Sequence, residues 1–485
     1  MERHDIVANV FVEQPQTASD LVNENDEKPQ FVKLQRIFRH GSFILLILLL
    51  TLQYVLLIFS PWRKNFQSDE QYYVGRAMTF LATGSASDTG GLQFRPAGYS
   101  IAIAAFNFFD WTPDRIRYRT ATTQFALMSS VMLALFLIAA SILKSSRSLY
   151  ASAFLMGIQP WTFASTKILY PDSLTASLFS IGLVCLFGFL KVQNRKTQLL
   201  FFFASIVALS LTVTLRAEMA VLVVTFLVIA LSLKYFRKIA LIVIIVSLAA
   251  IAFVAFEAHE QLLTSGKFGK FGILKKGAYE WVGTWFATER SGFKHFLYGD
   301  LDLFKFQRLP SYAFDDDTER AEVRGAIELI ERSKKYTPDS DVTFRALAQK
   351  RKSEHLWMNH ILPYTWASLS MWININTNEQ LWESLLDRKY LFRMMVVSFA
   401  LLKVIVFSLA IVSAFRLFQR IRGRQSRWYD DLTMLMLVCI ISRTLLMGEF
   451  LGYIHRYVLP AWPAMIWCAV SAFFHPTKQT PSAAV

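Results

Sequence analysis

Apolar segments long enough to cross a membrane recur along this 485-residue chain, and they constrain its fold more than any other feature. A helix needs about 20 mostly apolar residues to cross the hydrocarbon core of a bilayer. The chain is also 54% hydrophobic and 15% aromatic, which is richer than soluble domains. We therefore predict an all-α membrane protein with about ten transmembrane helices. The predicted spans are residues 43–60, 120–143, 149–164, 174–190, 199–215, 219–233, 239–256, 394–415, 432–447 and 457–474.

Basic residues at the ends of these segments predict the orientation. Lys and Arg beside a span hold that side in the cytoplasm. They precede the first predicted span and follow the even-numbered ones, so both termini are predicted to be cytoplasmic. The net charge of +15 is therefore explained by basic residues beside membrane spans. No nucleic-acid partner is expected. The clusters include Lys33, Arg36, Arg39, Lys144, Arg147, Lys191, Arg195, Lys196, Lys234, Arg237, Lys238, Arg416, Arg420, Arg422, Arg424 and Arg427.

The chain divides into five predicted sections. They are a disordered cytoplasmic tail at 1–40, a transmembrane core at 41–257 with a first outer loop at 61–119, a large extracytoplasmic segment at 258–390, C-terminal transmembrane helices at 391–475 and a cytoplasmic tail at 476–485. Residues 101–109 are apolar but too short to cross, and they predict an interfacial helix on the outer face. In the large segment, an acidic cap at 315–317 precedes a predicted helix over 319–335.

Cysteines and the N-terminus add little. All three cysteines lie inside apolar segments, so they predict neither a disulfide framework nor a metal site. The polar, mixed-charge start of the chain predicts no cleavable signal peptide.

Ionisable residues collect on the predicted outer face. A single ionisable group at the end of a span is often only an interfacial anchor. Here four separate loops bring such groups to the same face, which predicts a functional site there. The groups are Asp69 and Glu70 after span one, Tyr170-Pro171-Asp172 before span four, Arg216 and Glu218 between spans five and six, and Glu449, His455, Arg456 and Tyr457 between spans nine and ten.

The first outer loop carries the most specific motif. Asp69-Glu70, followed by Arg95-Pro96-Ala97-Gly98-Tyr99, resembles the polytopic GT-C glycosyltransferases, chiefly the protein O-mannosyltransferases and the lipid A aminoarabinose transferase group. The likeness covers spans one to seven and the last pair. Members often have a second proline where this chain has Ala97. Looser matches are Tyr-Pro-Asp at 170–172, Arg-Ala-Glu at 216–218, and Arg456-Tyr457 with Pro460 and Pro463.

The resemblance implies transfer of a hexosyl or pentosyl group from a polyprenyl-phosphate donor to an extracytoplasmic acceptor that is a glycan, a lipid or a protein. It makes section 41–257 the catalytic core. It also implies an integral multi-pass protein of the bacterial inner (plasma) membrane, surrounded by membrane lipid, with its active site on the outer face. Asp69 matches the position given the role of catalytic base, with Glu70 and Asp172 as supporting carboxylates.

The chemistry of that reaction fits the residue types. A carboxylate takes the proton of the attacking acceptor hydroxyl. The lipid phosphate is already a good leaving group, and the planar fork of arginine matches its oxygens. Some members use a divalent cation, but the histidines here show no recognisable ligand spacing, so its ligands stay unassigned. The candidate substrate-binding residues are Arg95, Tyr99, Arg216, Glu218, Glu449, His455, Arg456 and Tyr457.

Two other functions remain open from the sequence. A secondary transporter usually places ionisable groups near mid-membrane on helices broken by Gly or Pro. A non-enzymatic scaffold or receptor would instead bind a partner through its large outer segment. Transport into vesicles identifies the first, and loss of function on deleting the outer segment while Asp69 is dispensable identifies the second.

Overall fold

The protein is helical throughout the part that the computed structural model describes. No strand occurs in these residues. They are 40–59, 69–84, 98–108, 111–158, 166, 169–192, 194–216, 219, 276–284, 306–309, 311–333, 337–354, 357, 361, 365, 372, 389–423, 428–451 and 460–474.

The N-terminal half contributes most of the long apolar helices. They coincide with predicted spans one, two, four and five, whereas predicted span three is described only as a helix of 12 residues. Apart from Met219, predicted spans six and seven lie outside the described residues. The helices are α1 (Gly41–Phe59), α2 (Asp69–Thr83), α3 (Gly98–Phe106), α4 (Pro113–Ile142), α5 (Ser146–Gly157), α6 (Pro171–Lys191) and α7 (Arg195–Leu215).

The C-terminal half adds three further helices of the bundle and a separate set of helices. We call this set the outer group, because it falls in the segment that the sequence predicts to be extracytoplasmic. The outer group holds α8 (Lys276–Gly283), α9 (Asp317–Ser333) and α10 (Pro338–Glu354). The bundle helices are α11 (Lys389–Arg422), α12 (Trp428–Leu451) and α13 (Trp462–Ser471). Predicted spans eight, nine and ten correspond to α11, α12 and α13, of which α13 is described over only 10 residues.

Five helices are long and apolar enough to cross a membrane within the described ranges. This supports an integral membrane protein, while the expected total of about ten spans and the side on which each end lies remain predictions. The five are Gly41–Phe59, Pro113–Ile142, Pro171–Phe189, Arg195–Leu215 and Ala400–Arg422.

The main apolar core surrounds α13. Every residue of α13 is buried, and the helix packs against α4, α5, α6, α11 and α12. Trp467 donates its indole N–H to Thr433 Oγ1 at 3.2 Å, which satisfies that buried polar group. Helix α13 therefore lies at the centre of the bundle that the structure describes, although it has only 10 residues.

Ion pairs join the helix ends at one end of the bundle. Lys191 at the end of α6 contacts Asp431 on α12 at 2.6 Å. Arg420 near the end of α11 pairs with buried Asp430 at 2.7 Å, and Arg416 donates to the carbonyl of Ala472. We call this the basic end, defined by Lys191, Arg416 and Arg420. It gathers basic clusters that the sequence predicts to be cytoplasmic.

The outer group has a core of its own. Trp281, Phe344 and Ile327 are buried together there. Asp316 Oδ1 accepts the backbone N–H of Glu319 at 2.6 Å, which caps the first turn of α9. The acidic cap and the helix predicted over 319–335 are both confirmed, with the helix running from Asp317 to Ser333.

A buried ion pair crosses this outer core. Arg351 on α10 contacts Glu319 on α9 at 2.6 Å, and both side chains are 3% exposed. Glu319 also accepts the indole N–H of Trp281 at 2.6 Å, so one carboxylate joins α8, α9 and α10. Because charges buried this deeply need such partners, the pair is a structural requirement of the outer group.

Candidate functional site

A second apolar cluster lies where α2, α3, α4, α6 and α7 meet. Tyr73, Tyr99, Ile116, Leu174 and Leu215 contribute one buried side chain each from these helices. The cluster lies at the N-terminal end of α6, whereas Lys191 at the other end of that helix belongs to the basic end. The four predicted site residues whose side chains the structure describes lie on or next to these helices. We call this apolar cluster the apolar floor.

Glu70 joins α2 to the turn before α6. Its carboxylate is buried, and Oε1 accepts the backbone N–H of Leu169 at 3.1 Å. That contact holds the turn just before the predicted Tyr-Pro-Asp element, whose last residue is Asp172. Asp69 is the first residue of α2, where the helix dipole favours a carboxylate. Only the backbone of Asp69 belongs to the described part of the chain.

Asp172 and Arg216 form a buried ion pair through Oδ1 and Nη1. Asp172 lies in the first turn of α6, behind Pro171, and Arg216 is the C-terminal capping residue of α7. A carboxylate at a helix N-terminus and a guanidinium at a helix C-terminus each complement the helix dipole. The side chains are 2% and 10% exposed, so the pair is almost fully removed from water.

Tyr99 adds a neutral phenol beside these charges. Gln124 donates its amide N–H to the Tyr99 hydroxyl at 2.5 Å, and the Tyr73 ring meets the Tyr99 ring edge-on at 4.9 Å. Burial raises the pKa of Tyr99 well above its usual range, and Tyr73, Glu70 and Asp172 raise it further, while the bond from Gln124 opposes the shift. The hydroxyl therefore stays protonated and able to donate.

Gly98 explains part of the Arg-Pro-x-Gly-Tyr motif. It is the first residue of α3, and a Cβ at this position would run into the backbone carbonyl of Thr214 near the end of α7. Glycine is needed where two backbones approach this closely. The close approach brings Tyr99 against the helix that ends in Arg216.

Besides Arg351 of the outer group, four further buried basic residues were not singled out by the sequence reasoning. Arg76 on α2 and Arg117 on α4 are buried near the apolar floor, and Lys403 and Arg443 are buried within predicted spans eight and nine. Ionisable residues inside apolar segments are rare and usually functional, so this signal was available for the last two. Arg443 Nη1 lies 3.5 Å from the sulfur of Met219. Met219 is close to Arg216 in the sequence.

The structure thus brings together Glu70, Tyr99, Asp172 and Arg216 out of the predicted site residues. The role of each predicted site residue, for these four as for the rest, stays a prediction. Within the described ranges, no three His, Cys, Asp or Glu side chains are grouped closely enough to hold a metal ion. The predicted residues outside the described ranges are Arg95, Glu218, His455, Arg456 and Tyr457, and the side chain of Glu449 on α12 is outside them too.

Solved structures of membrane glycosyltransferases are similar to this chain. The Archaeoglobus fulgidus oligosaccharyltransferase, tethered to an acceptor peptide containing the NVT sequon, has 14% identity and a TM-score of 0.44 over 90% of this chain and 49% of that chain. Its apo form has 12% identity and a TM-score of 0.44 over 89% and 50%. ArnT from Cupriavidus metallidurans in the apo state has 13% identity and a TM-score of 0.37 over 86% and 77%.

Both neighbours are GT-C glycosyltransferases, the family that the first-loop motif resembles. This chain spans about half the length of the oligosaccharyltransferase that it matches. No family model and no curated protein matches the sequence. Because identity and TM-score are low, the functional proposal below rests on the residues of this chain.

Proposed function

We propose that this protein is a membrane glycosyltransferase that moves a sugar from a polyprenyl-phosphate donor to an extracytoplasmic acceptor. The observation that carries the proposal is the buried Asp172–Arg216 pair, with Glu70 and Tyr99 beside it, at the ends of apolar helices. A lipid-linked substrate reaches such a place from the bilayer, with its tail between helices and its phosphate among the polar groups.

The burial of these groups favours catalysis over simple anchoring at the interface. An interfacial anchor keeps its charged head in water, whereas Glu70, Asp172 and Arg216 are all buried. Buried carboxylate and guanidinium groups with fixed geometry are able to stabilise charge that develops during a reaction. Three separate stretches of the chain, near residues 70, 172 and 216, supply them.

The proposed reaction is a displacement at the anomeric carbon. Asp69 takes the proton from the acceptor hydroxyl while that oxygen forms its bond to the anomeric carbon. The bond from this carbon to the phosphate oxygen breaks, and the lipid phosphate leaves as an anion. Arg95 and Arg456 hold its oxygens. Glu70 and Asp172 are supporting carboxylates, since each holds a neighbouring group in place.

Tyr99 and Arg216 complete the proposed donor site. The neutral Tyr99 hydroxyl is a hydrogen-bond donor to a phosphate or sugar oxygen. The positive charge of Arg216 is largely neutralised by its ion pair with Asp172. Its proposed role is therefore to orient the donor, with less net positive charge than an arginine with no carboxylate beside it. Glu218, Glu449, His455 and Tyr457 are proposed to contact the acceptor or the sugar. Chelation of divalent cations before the assay tests whether the reaction requires one.

The test uses purified full-length protein in detergent with a polyprenyl-phosphate hexose and, separately, a polyprenyl-phosphate pentose. We expect one donor to be consumed, with release of polyprenyl phosphate that increases when a mixture of envelope glycans, lipids or peptides is added as acceptor. If neither donor binds or is consumed under conditions where the protein remains folded, the proposal is wrong.

A secondary transporter is the second candidate, because Lys403 and Arg443 are buried within predicted spans. Charges inside membrane helices often mark a transport pathway. Uptake of a radiolabelled polar solute into proteoliposomes, lost in a Lys403→Met variant, would favour transport. Donor consumption without uptake favours the transferase.

A further inference from the structure

Arg443 lies deep within the apolar helix α12, and the proposed function gives this residue no role. Its side chain is fully buried on α12, roughly 12 Å before the end of that helix at Leu451 at a rise of 1.5 Å per residue. A guanidinium in such a place is expensive, so it is usually retained for a specific task. A methionine side chain is long enough to fill much of the space that the Arg443 side chain occupies, so packing alone does not require an arginine at this position.

A short chain of contacts leads from Arg443 to the ion pair at the site. Arg443 Nη1 donates to Met219 Sδ at 3.5 Å. The backbone N–H of Met219 donates to the carbonyl of Arg216 at 3.0 Å, which closes a turn. The guanidinium of Arg216 then contacts Asp172. Helix α12 therefore contacts the turn that carries Arg216.

The residue after Arg443 connects α12 to a different part of the chain. Thr444 Oγ1 accepts the indole N–H of Trp372 at 2.8 Å. The Trp372 ring also packs edge-on against Phe407 on α11 at 5.5 Å and lies 6.3 Å from the Trp462 ring on α13. Positions 443 and 444 are thus where the 216–219 turn, the large outer segment and the last three helices meet.

We propose that Arg443 is a positioning residue for Arg216, one that holds the 216–219 turn against α12 so that the Arg216–Asp172 pair faces the donor. This inference rests on the proposed transferase function. Arg443 touches no substrate in this role. It sets the geometry of a group that does, and displacements of about 1 Å at such groups reduce rates strongly.

The test compares Arg443→Met and Arg443→Lys with the wild type in donor-consumption kinetics. Arg443→Met is expected to lower kcat about tenfold while the donor KM changes less than about threefold, because the donor still binds but is misaligned. Arg443→Lys, which keeps the charge, is expected to recover part of the loss. The matched control is Arg422→Met, which removes an exposed arginine at the end of α11 and is expected to leave kcat unchanged.

A double-mutant cycle separates positioning from general stability. In an Arg216→Lys background, the further change Arg443→Met is expected to lower kcat less than about twofold, because residues acting through one network are non-additive. Full additivity would show that Arg443 does not act through Arg216. Where Arg443→Met fails to fold, Met219→Leu removes the same contact and is expected to reproduce the kcat loss in part.

The outcomes distinguish this inference from the function on which it rests. A wild-type protein that consumes no donor overturns the proposed function. A wild-type protein that consumes donor, together with a folded Arg443→Met variant of unchanged kcat and KM, overturns only the positioning role.

Discussion

At the scale of single residues, Tyr99 offers a direct test of burial and charge at the site. Its folded-state pKa is raised above the ordinary value of 10.0 by burial and by neighbouring Glu70 and Asp172. A raised pKa contributes stability that is fully present below pH 10 and is lost as the pH rises above 10 toward the raised value. The wild type is therefore expected to lose stability above pH 10 more steeply than Tyr99→Phe in unfolding measurements followed over pH.

The same substitution has a cost at neutral pH. Tyr99→Phe removes the acceptor of the Gln124 amide, and leaving a buried donor unsatisfied costs about 1–3 kcal/mol. Equal pH dependence of the two proteins above pH 10 would contradict the assignment of a buried, neutral phenol.

At the scale of elements, the contact between α3 and α7 depends on Gly98. A Cβ there meets the Thr214 carbonyl, and backbone atoms are less able to move aside than a flexible side chain. Gly98→Ala is expected to separate the two helices and lower both thermal stability and donor turnover. The control is Gly75→Ala on α2, where the added Cβ has no atom of another described residue within 4 Å apart from the backbone of its own helix. That change is expected to stabilise α2 by about 0.5–1 kcal/mol.

The outer group depends on its buried ion pair. Arg351→Met leaves Glu319 buried without its guanidinium partner, and removing one member of a buried pair costs roughly 3–5 kcal/mol. Arg332→Met removes an exposed pair with Glu328, which is worth about 0.3–0.5 kcal/mol on a helix surface. Limited proteolysis of the outer group is expected to accelerate in the first variant and not in the second. Equal proteolysis rates would mean that the Arg351–Glu319 pair does not hold α9 and α10 together.

At the scale of the whole molecule, the long apolar helices were predictable because their signal is local. The runs that predicted spans one, two, four, five and eight coincide with helices long enough to cross a membrane. The bounds of α13 were less predictable. Predicted span ten covers residues 457–474, whereas the described helix runs from Trp462 to Ser471 after a short turn at 460–461. Residues 457–459 lie outside the described residues.

The arrangement of the site depends on contacts that local patterns do not contain. Asp172 and Arg216 were each predicted as site residues, but their pairing across 44 positions follows from how α6 packs on α7. Glu70 was predicted as a supporting carboxylate, and its bond to Leu169 was not foreseen. The sequence shows Arg443 as a charge within an apolar run. Its contact with Met219 is known only from the structure, because the two residues are far apart in the chain.

The basic end predicts the orientation of the protein in the membrane. Because Lys and Arg beside membrane spans remain in the cytoplasm, the basic end is expected inside and residues near Ser311 outside. A reporter inserted near Ser311 and another fused at Val485 are expected to give opposite accessibility to a protease added to intact cells. Protection of both, or cleavage of both, would overturn the predicted topology.

The central claim is that the end of the bundle holding Glu70, Asp172 and Arg216 transfers a sugar with Asp69 as base. The most direct measurement is donor turnover by purified Asp69→Asn protein, which keeps the size of the side chain and removes its basicity. The matched control is Asp114→Asn, an exposed carboxylate in the first turn of α4. Turnover is expected to fall roughly 100-fold or more in Asp69→Asn and to remain unchanged in the control. Wild-type turnover in a well-folded Asp69→Asn protein would contradict the account.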